Sequence, residues 1–564
     1  MDRVLGLHTA PYASEASRPA PVDARADSAM VRMPDGIRLA TDVYLPEPVG
    51  APRPAVLVRL PYDKSGRYTF LPDITARLTA YGFAAVVQDV RGKFRSDGER
   101  LPFVNEAADG AATIDWIVRR PWSNGVVGMM GDSYYGFTQW AAASTEHPAL
   151  RAIVPRVTGS EFFRMFSPDL VPKLPLYEWI VHTFSVPGML ERPFADSSDG
   201  VRYVFPEEAP QVAGVLRDLV TGNADGSLRT RVFPSGPPAL RLRLPALHMG
   251  GWWDNLQRSQ LADWRAVSTA PAATHQFLRM GATDHEDFHL HEDDEPHHDH
   301  EVDDAALRRY LDVMTADPLD FFDHYLRDRG GVWHAPRVRY EVANSGWRVA
   351  DRWVPGDTTD VSLRLGGLER AVGSRDGGSL AQETTSGSTA VSWIHDPADP
   401  VPYLVESEWG QCAALPDEGA VHEREDVATF TSQAQEASVE IVGHVDAELE
   451  VEAPTSTTHV VARLLDVYPS GRARLIVEGA AVVHTRSGPA RVRVDMGDTA
   501  YLLRAGHALR LAISTSCFPL YALHPGTEDD LWRSQTTAAL RQTLHSGPEQ
   551  PSLLCLSVRG GQLG

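Results

Sequence analysis

"VVGMMGDSYYGFTQWAAASTEH", residues 126–147, decides the fold. Residues 126–131 are apolar or glycine and show no polar alternation, the pattern of a strand buried on both faces of a parallel sheet. After Asp132 and Ser133 the text turns to helical spacing, so the stretch reads strand, sharp turn, helix. A serine on such a turn presents its hydroxyl at the rim of a sheet, and the usual elbow spacing is G-x-S-x-G. Here Tyr135 stands two places after Ser133 and the glycine comes one later, at Gly136. The spacing alone therefore leaves two readings open, a nucleophile or a small residue at a strand–helix junction.

Upstream, "AMVRM", "LATDVYLP", "PAVLVRL" and "GFAAVVQDV" are short strand-like runs separated by turn signals. Between the last of these and residue 126, "NEAADGAATIDWIVRR" places Ala108, Ala111, Ala112 and Trp116 at helical spacing, which predicts a crossover helix packed on that face. Alternating strand and helix predicts an α/β sheet over 29–157, preceded by a poorly ordered lead-in at 1–28. After "RAIVPRV" the alternation stops, and residues 158–243, rich in aromatics and proline, predict a helical cap inserted over the strand ends. The sheet resumes over 244–345 with "ALHMGGW" and "QFLRMGA", a helix around "DPLDFFDHYLR" and a further strand in "RVRYEVAN". From 346 to 564, short alternating runs such as "VSLRLG", "AELEVEAP" and "ALRLAISTS" predict an all-β domain, a sandwich or jelly roll.

The chain has 564 residues, 43% of them hydrophobic, enough for several cores. A formal charge of -22 leaves no broad basic surface, which argues against nucleic acid or an anionic membrane as a partner. Three widely spaced cysteines give neither a disulfide framework nor a metal-site spacing. With no signal-peptide pattern and no long apolar run, the expectation is a cytoplasmic protein acting on a small molecule.

A serine attacks a carbonyl usefully only with a base, a group that orients the base, and donors for the oxyanion. Candidates occur in the chain order Ser, Asp, His expected of an α/β-hydrolase: Ser133, then Asp254 after "PALHMGGWW", then His285 after "QFLRMGATD". Asp284 and Asp287 are rival orienters, although adjacent side chains diverge and Asp284 is a poor partner for its own neighbour. Because a neutral His285 is required, the rate is expected to rise through roughly pH 6 to 7.

At these residues the chain resembles the cocaine esterase and X-prolyl dipeptidyl-peptidase family of α/β-hydrolases, whose elbow reads G-x-S-Y-x-G; "GDSYYG" matches it in full. "MPDGIRLATDVYLP", "RLPYDK", "DVRGKFRSDGE", "GGWWDN" and "FFDHYLR" also resemble family signatures, and "LLDVYPSGRARLIVEGA" and "RAGHALRLAISTSCFP" resemble its jelly-roll domain. The resemblance implies Ser133 as nucleophile, His285 as base and then acid, and Asp254 as orienter. It implies an oxyanion hole made by the Tyr62 hydroxyl and the Tyr134 backbone N–H, and no cofactor.

Relatives that hydrolyse α-amino acid esters carry acidic residues two and three places after the triad aspartate, where this chain has Leu256 and Gln257. An ester, or an amide, of a small apolar acyl group without a free ammonium is therefore the favoured substrate. Trp253, Leu256, Phe162, Phe163 and Phe166 are candidates for its pocket. X-prolyl peptidase activity needs an amine-binding carboxylate, for which the cap offers Glu161, Asp169 or Glu178. An acyltransferase using the same triad is the alternative. The His- and acid-rich tract 285–301 lacks the spacing of a defined metal motif and is read as a surface loop, with no metal. A homodimer through the large β domain is possible on this reading.

Overall fold

The computed structural model describes residues 26–564 apart from 48–49, 67–68, 162–164, 167–169, 189–213, 216–230, 234, 291–299, 301–302, 384–388, 406, 487, 530, 533, 535, 562 and 564. The first ten strands form one mixed sheet: β1 (Ala26–Arg32), β2 (Arg38–Tyr44), β3 (Arg53–Leu60), β4 (Ala84–Asp89), β5 (Ser123–Asp132), β6 (Leu150–Arg156), β7 (Ala246–Gly251), β8 (Gln276–Gly281), β9 (Val338–Val342) and β10 (Gly346–Ala350). Their order is β1-β2-β4-β3-β5-β6-β7-β8-β9-β10. The run from β4 to β9 is parallel, and β1, β2 and β10 join antiparallel at the two edges. This is the expected α/β-hydrolase-like sheet. It is longer than read from sequence, because β10 pairs with β9 and carries the sheet past residue 346.

Alternate residues of β3 serve opposite faces. Ala55 and Leu57 pack with Ile114, Trp140 and Trp264, whereas Val56 and Val58 pack with Ile74, Leu78 and Phe322. The first face is covered by α2 (Glu106–Val118), α3 (Ser133–Ala143) and α5 (Gln257–Val267); the second by α1 (Leu71–Ala80) and α6 (Asp304–Leu326). Helix α4 (Leu174–Phe184) lies in the cap stretch. Helix α6 begins well before the expected "DPLDFFDHYLR" and runs through Pro318.

One expectation fails instructively. Helix α2 forms, but its buried stripe is Glu106, Asp109, Gly110, Thr113, Ile114 and Ile117, while Ala108 is exposed and Trp116 only partly buried. The carboxylates are tolerated inside because they are paired: Arg59 Nη1 reaches Glu106 at 2.9 Å, and Arg91 Nη2 reaches Asp109 at 2.6 Å. An ion-paired stripe outcompetes a stripe of alanines that bury little area each.

The remaining strands, β11 (Thr358–Gly366) to β21 (Leu553–Arg559), make an all-β domain, mostly antiparallel. Its core is continuous with one side of the hydrolase sheet: Trp252, Trp253 and Tyr340 belong to the same buried cluster as Leu363, Val445 and Leu511. At the junction Trp252 stacks on Trp353 with ring centres 4.9 Å apart. Among the described residues no helix is long and apolar enough to cross a membrane.

Candidate active site

The turn between β5 and α3 has the geometry that the sequence left open. Asp132 is extended, and Ser133 takes φ 52°, the left-handed region. For a residue with a Cβ this costs about 1–3 kcal/mol, and such strain persists only where its surroundings impose it. Arg156, at the end of β6, supplies part of that constraint through bonds to both Asp132 oxygens (2.7 and 2.6 Å). Thr158 Oγ1 donates to the Ser133 carbonyl at 2.7 Å. The displaced Gly136 has a local reason: a Cβ there would lie 2.5 Å from Thr158 Cγ2 and 2.7 Å from its Cβ, so only glycine lets α3 settle against the chain leaving β6. The Tyr134 amide falls in the first turn of α3, whose N–H groups find no acceptor within their own helix. Its side chain is locked below, with the hydroxyl donating to Glu106 Oε1 (2.9 Å) and accepting from Phe103 N (2.7 Å).

Tyr62 follows β3. Its loop is fixed by the wholly buried Lys64, which bonds Asp89 at 2.9 Å and lies 3.3 Å from Asp42, so "RLPYDK" and the strand leading into "DVRGKFRSDGE" are joined by charge. The Tyr62 hydroxyl accepts from Trp179 Nε1 at 2.9 Å, and Ser133 is near enough to lower its pKa. Burial pushes its pKa up to about 12, against the lowering effect of Trp179 and Ser133, which keeps it a proton donor at neutral pH.

Asp254 and His285 follow the neighbouring parallel strands β7 and β8. Backbone bonds zip the two loops together, from Trp252 N to Gly281 O and from Trp253 N to Thr283 O, each 3.0 Å. Gly251 makes this approach possible, since a Cβ there would overlap the Thr283 carbonyl. The result is a 2.7 Å contact between His285 Nδ1 and Asp254 Oδ1, the latter also accepting from Leu256 N at 3.1 Å. Burial disfavours the imidazolium, but the Asp254 charge and hydrogen bond outweigh it, and the His285 pKa lies above its ordinary value. The rival carboxylates are engaged elsewhere. Asp284 accepts from the amides of Glu286, Phe288 and Cys412, and Asp287 binds Arg156 and Tyr310. Arg156 thus holds the Ser133 turn and the His285 loop at once.

The pocket residues divide. Leu256 and Phe166 join Phe103, Tyr134, Tyr177, Trp179 and Trp409 in one buried apolar cluster beside the elbow. Trp253 belongs to a different cluster: its ring faces Tyr501, its carbonyl accepts from Gln411 Nε2 at 2.6 Å, and with Asp254 it lines a small cavity at the domain junction. Phe162, Phe163 and Asp169 lie outside the described residues. Of the two remaining amine-site candidates, Glu178 is buried on α4 beside Trp179; burial, then Glu408, pushes its pKa up to about 8. His289 of the acidic tract bonds Glu341 at 2.9 Å, while residues 291–299 lie outside the described set. Among the described residues the one group close enough to share an ion is Asp446, Glu448 and Cys555 in the β domain, where Arg493 and Arg491 already bind the carboxylates.

Sequence reasoning missed the contribution of the β domain. Trp409 stands edge to face with the His285 ring, centres 4.9 Å apart, and its carbonyl accepts from Glu286 N at 3.2 Å. Beside it Glu408 binds Lys173, at the foot of α4, at 2.8 Å. One short segment therefore touches the base and steadies the cap.

Comparison with known proteins gives a consistent result. Residues 35–287 match the family model described as X-Pro dipeptidyl-peptidase (S15 family), and residues 331–555 match that of the X-Pro dipeptidyl-peptidase C-terminal non-catalytic domain. The chain is 30% identical, over an alignment 585 positions long, to cocaine esterase of Rhodococcus sp. (strain MB1 Bresler), spanning 94% of this chain and 98% of that relative. Two solved structures share the fold over nearly the whole length. An α-amino acid ester hydrolase has a TM-score of 0.76 at 23% identity and covers 96% of this chain and 98% of its own. An aminopeptidase from a marine sediment Thaumarchaeota archaeon has a TM-score of 0.76 at 19% identity and covers 95% and 96%.

Proposed function

The chain belongs to the X-Pro dipeptidyl-peptidase and cocaine esterase family of serine hydrolases, and from that premise we propose that it cleaves an ester of a small, largely apolar acyl group through Ser133, His285 and Asp254. The observation that carries this is the 2.7 Å Asp254–His285 pair, which follows the carboxyl ends of β7 and β8 as the left-handed Ser133 turn follows that of the parallel strand β5. His285 takes the Ser133 proton as the alkoxide attacks the carbonyl carbon, and the oxygen that becomes negative is received by the Tyr62 hydroxyl and the Tyr134 N–H. Collapse expels the alcohol, which takes the proton back from His285. Water, deprotonated by the same imidazole, then releases the acid from Ser133. Asp254 fixes which ring nitrogen faces the reaction and stabilises the imidazolium. The apolar lining from Leu256, Phe166 and Trp409 favours an uncharged acyl chain. A panel of nitrophenyl esters tests this: the reading expects kcat/KM to peak at an aromatic or short aliphatic acyl group and fall for aminoacyl esters, and uniform inactivity toward esters contradicts it.

One observation favours a second reading. Glu178, a buried carboxylate in the electrostatic range of Glu408, would be stabilised in its charged form by a substrate ammonium. Preference for an aminoacyl ester over its N-acylated form, lost in Glu178→Gln, would select this reading over the first.

A further inference from the structure

We propose that Trp179 is a positioning residue for the reaction: its indole N–H holds the Tyr62 hydroxyl so that the phenol's single proton is directed toward the oxyanion beside Ser133. The inference rests on the reading of Tyr62 as an oxyanion donor. A phenol has one proton to give and lone pairs to accept with, whereas an indole N–H can only donate. At 2.9 Å from Trp179 Nε1, the Tyr62 oxygen is therefore the acceptor, and its own proton is left for the other side. Ser133 lies near enough to the Tyr62 hydroxyl to lower its pKa. Accepting one hydrogen bond polarises the O–H and strengthens the bond it gives.

The indole is in turn fixed. Trp179 is 5% exposed and packs against Phe103, Tyr134 and Phe184. Helix α4 is held at its N-terminal end by the bond from Lys173 to Glu408. At its other end Lys93 Nζ donates to the carbonyls of Thr183, Val186 and Gly188, and Arg100 Nε donates to the Phe184 carbonyl at 3.1 Å. Those carbonyls sit at or just beyond the helix C-terminus, where cations are favoured. The oxyanion hole is consequently assembled from two parts of the fold, and the seat of the cap helix sets the aim of a donor that belongs to the hydrolase sheet.

The test is a double-mutant cycle on the full chain with a nitrophenyl ester. Trp179→Phe keeps the ring and removes the N–H. It should lower kcat roughly tenfold with KM changed less than about twofold, the scale of one buried neutral hydrogen bond. Tyr62→Phe should lower kcat about 100- to 1,000-fold, as for loss of an oxyanion donor. In the Tyr62→Phe background, Trp179→Phe should have no further effect, because there is no hydroxyl left to aim. Losses that multiply in the double variant, or an unchanged kcat in Trp179→Phe, overturn the proposal while leaving Tyr62 as a donor. An unchanged kcat in Tyr62→Phe overturns the oxyanion reading itself. Should the Phe variant not fold, Trp179→His and Trp179→Met keep and remove a ring N–H at similar bulk, and equal kcat in those two also overturns it.

Discussion

Replacing Asp254 by Asn removes a charge but hardly any volume, and the two opposing influences on His285 make its effect calculable. Burial alone would hold the imidazole below its ordinary pKa of about 6.5; the carboxylate 2.7 Å from Nδ1, with smaller help from Glu286 and Asp287, more than reverses this. Unit charges about 4 Å apart in surroundings of effective dielectric about 20 interact by about 4 kcal/mol, worth about three pH units. In the wild type the acid limb of kcat/KM, which reports the free enzyme, should therefore have its midpoint above about 6.5. In Asp254→Asn the burial penalty is opposed only by the weaker influence of Glu286 and Asp287, so the limb should move to lower pH than in the wild type. The rate at its plateau should fall roughly 10⁴-fold, because an amide can present N–H to Nδ1 and favour the wrong tautomer. Stability carries the opposite sign: the raised pKa stabilises the fold below the unfolded value and this contribution is lost as pH rises through the folded one. The assay is kcat/KM on a nitrophenyl ester from pH 5 to 9 for both proteins, corrected for spontaneous hydrolysis. A limb that stays in place in the variant, or moves upward, would refute the electrostatic coupling.

The close approach of the two catalytic loops predicts that Gly251→Ala, which drives a Cβ into the Thr283 carbonyl, loses about 1–3 kcal/mol of stability in denaturant titrations and a larger share of kcat than of substrate affinity. Trp409→Ala should impair kcat on every ester and leave folding of the hydrolase sheet intact by circular dichroism, since its ring contacts His285 from another domain. Burial holds His248 and His524 at about 4 and His422 at about 3, so all three are neutral when folded. A lowered pKa means stability is full above about 6.5 and is lost as pH falls toward the folded values, by about 2 kcal/mol per histidine at pH 5. Thermal melts between pH 7.5 and 4.5 should show that decline, and His524→Gln should make it shallower.

The parts of this molecule that were legible in the sequence are those written locally. Ser133 sits inside a strand–turn–helix signal, and Asp254 and His285 each end an apolar run, so chain order and context brought out the same residues that the structure places after parallel strands. The inward face of α2 was not legible, because its stripe is built from Glu106 and Asp109, whose partners Arg59 and Arg91 come from other elements. The packing of Trp253 was not legible for a related reason. It adjoins Asp254 in sequence, yet the turn sends its ring to Tyr501 and leaves Leu256 to face the elbow. Trp409 is 124 residues from His285 and Trp179 is 117 from Tyr62, and no periodicity or spacing encodes a contact between side chains brought together by the packing of domains.

If the proposed mechanism holds, Ser133 is the nucleophile and His285 serves it. The most direct measurement is fluorophosphonate labelling of the full chain followed by peptide mapping in wild type, Ser133→Ala and His285→Ala. One stoichiometric adduct is expected on the peptide that contains Ser133, none in Ser133→Ala, and labelling slowed by orders of magnitude in His285→Ala. An equal adduct in Ser133→Ala, or an adduct mapped to another residue in the wild type, would contradict that mechanism.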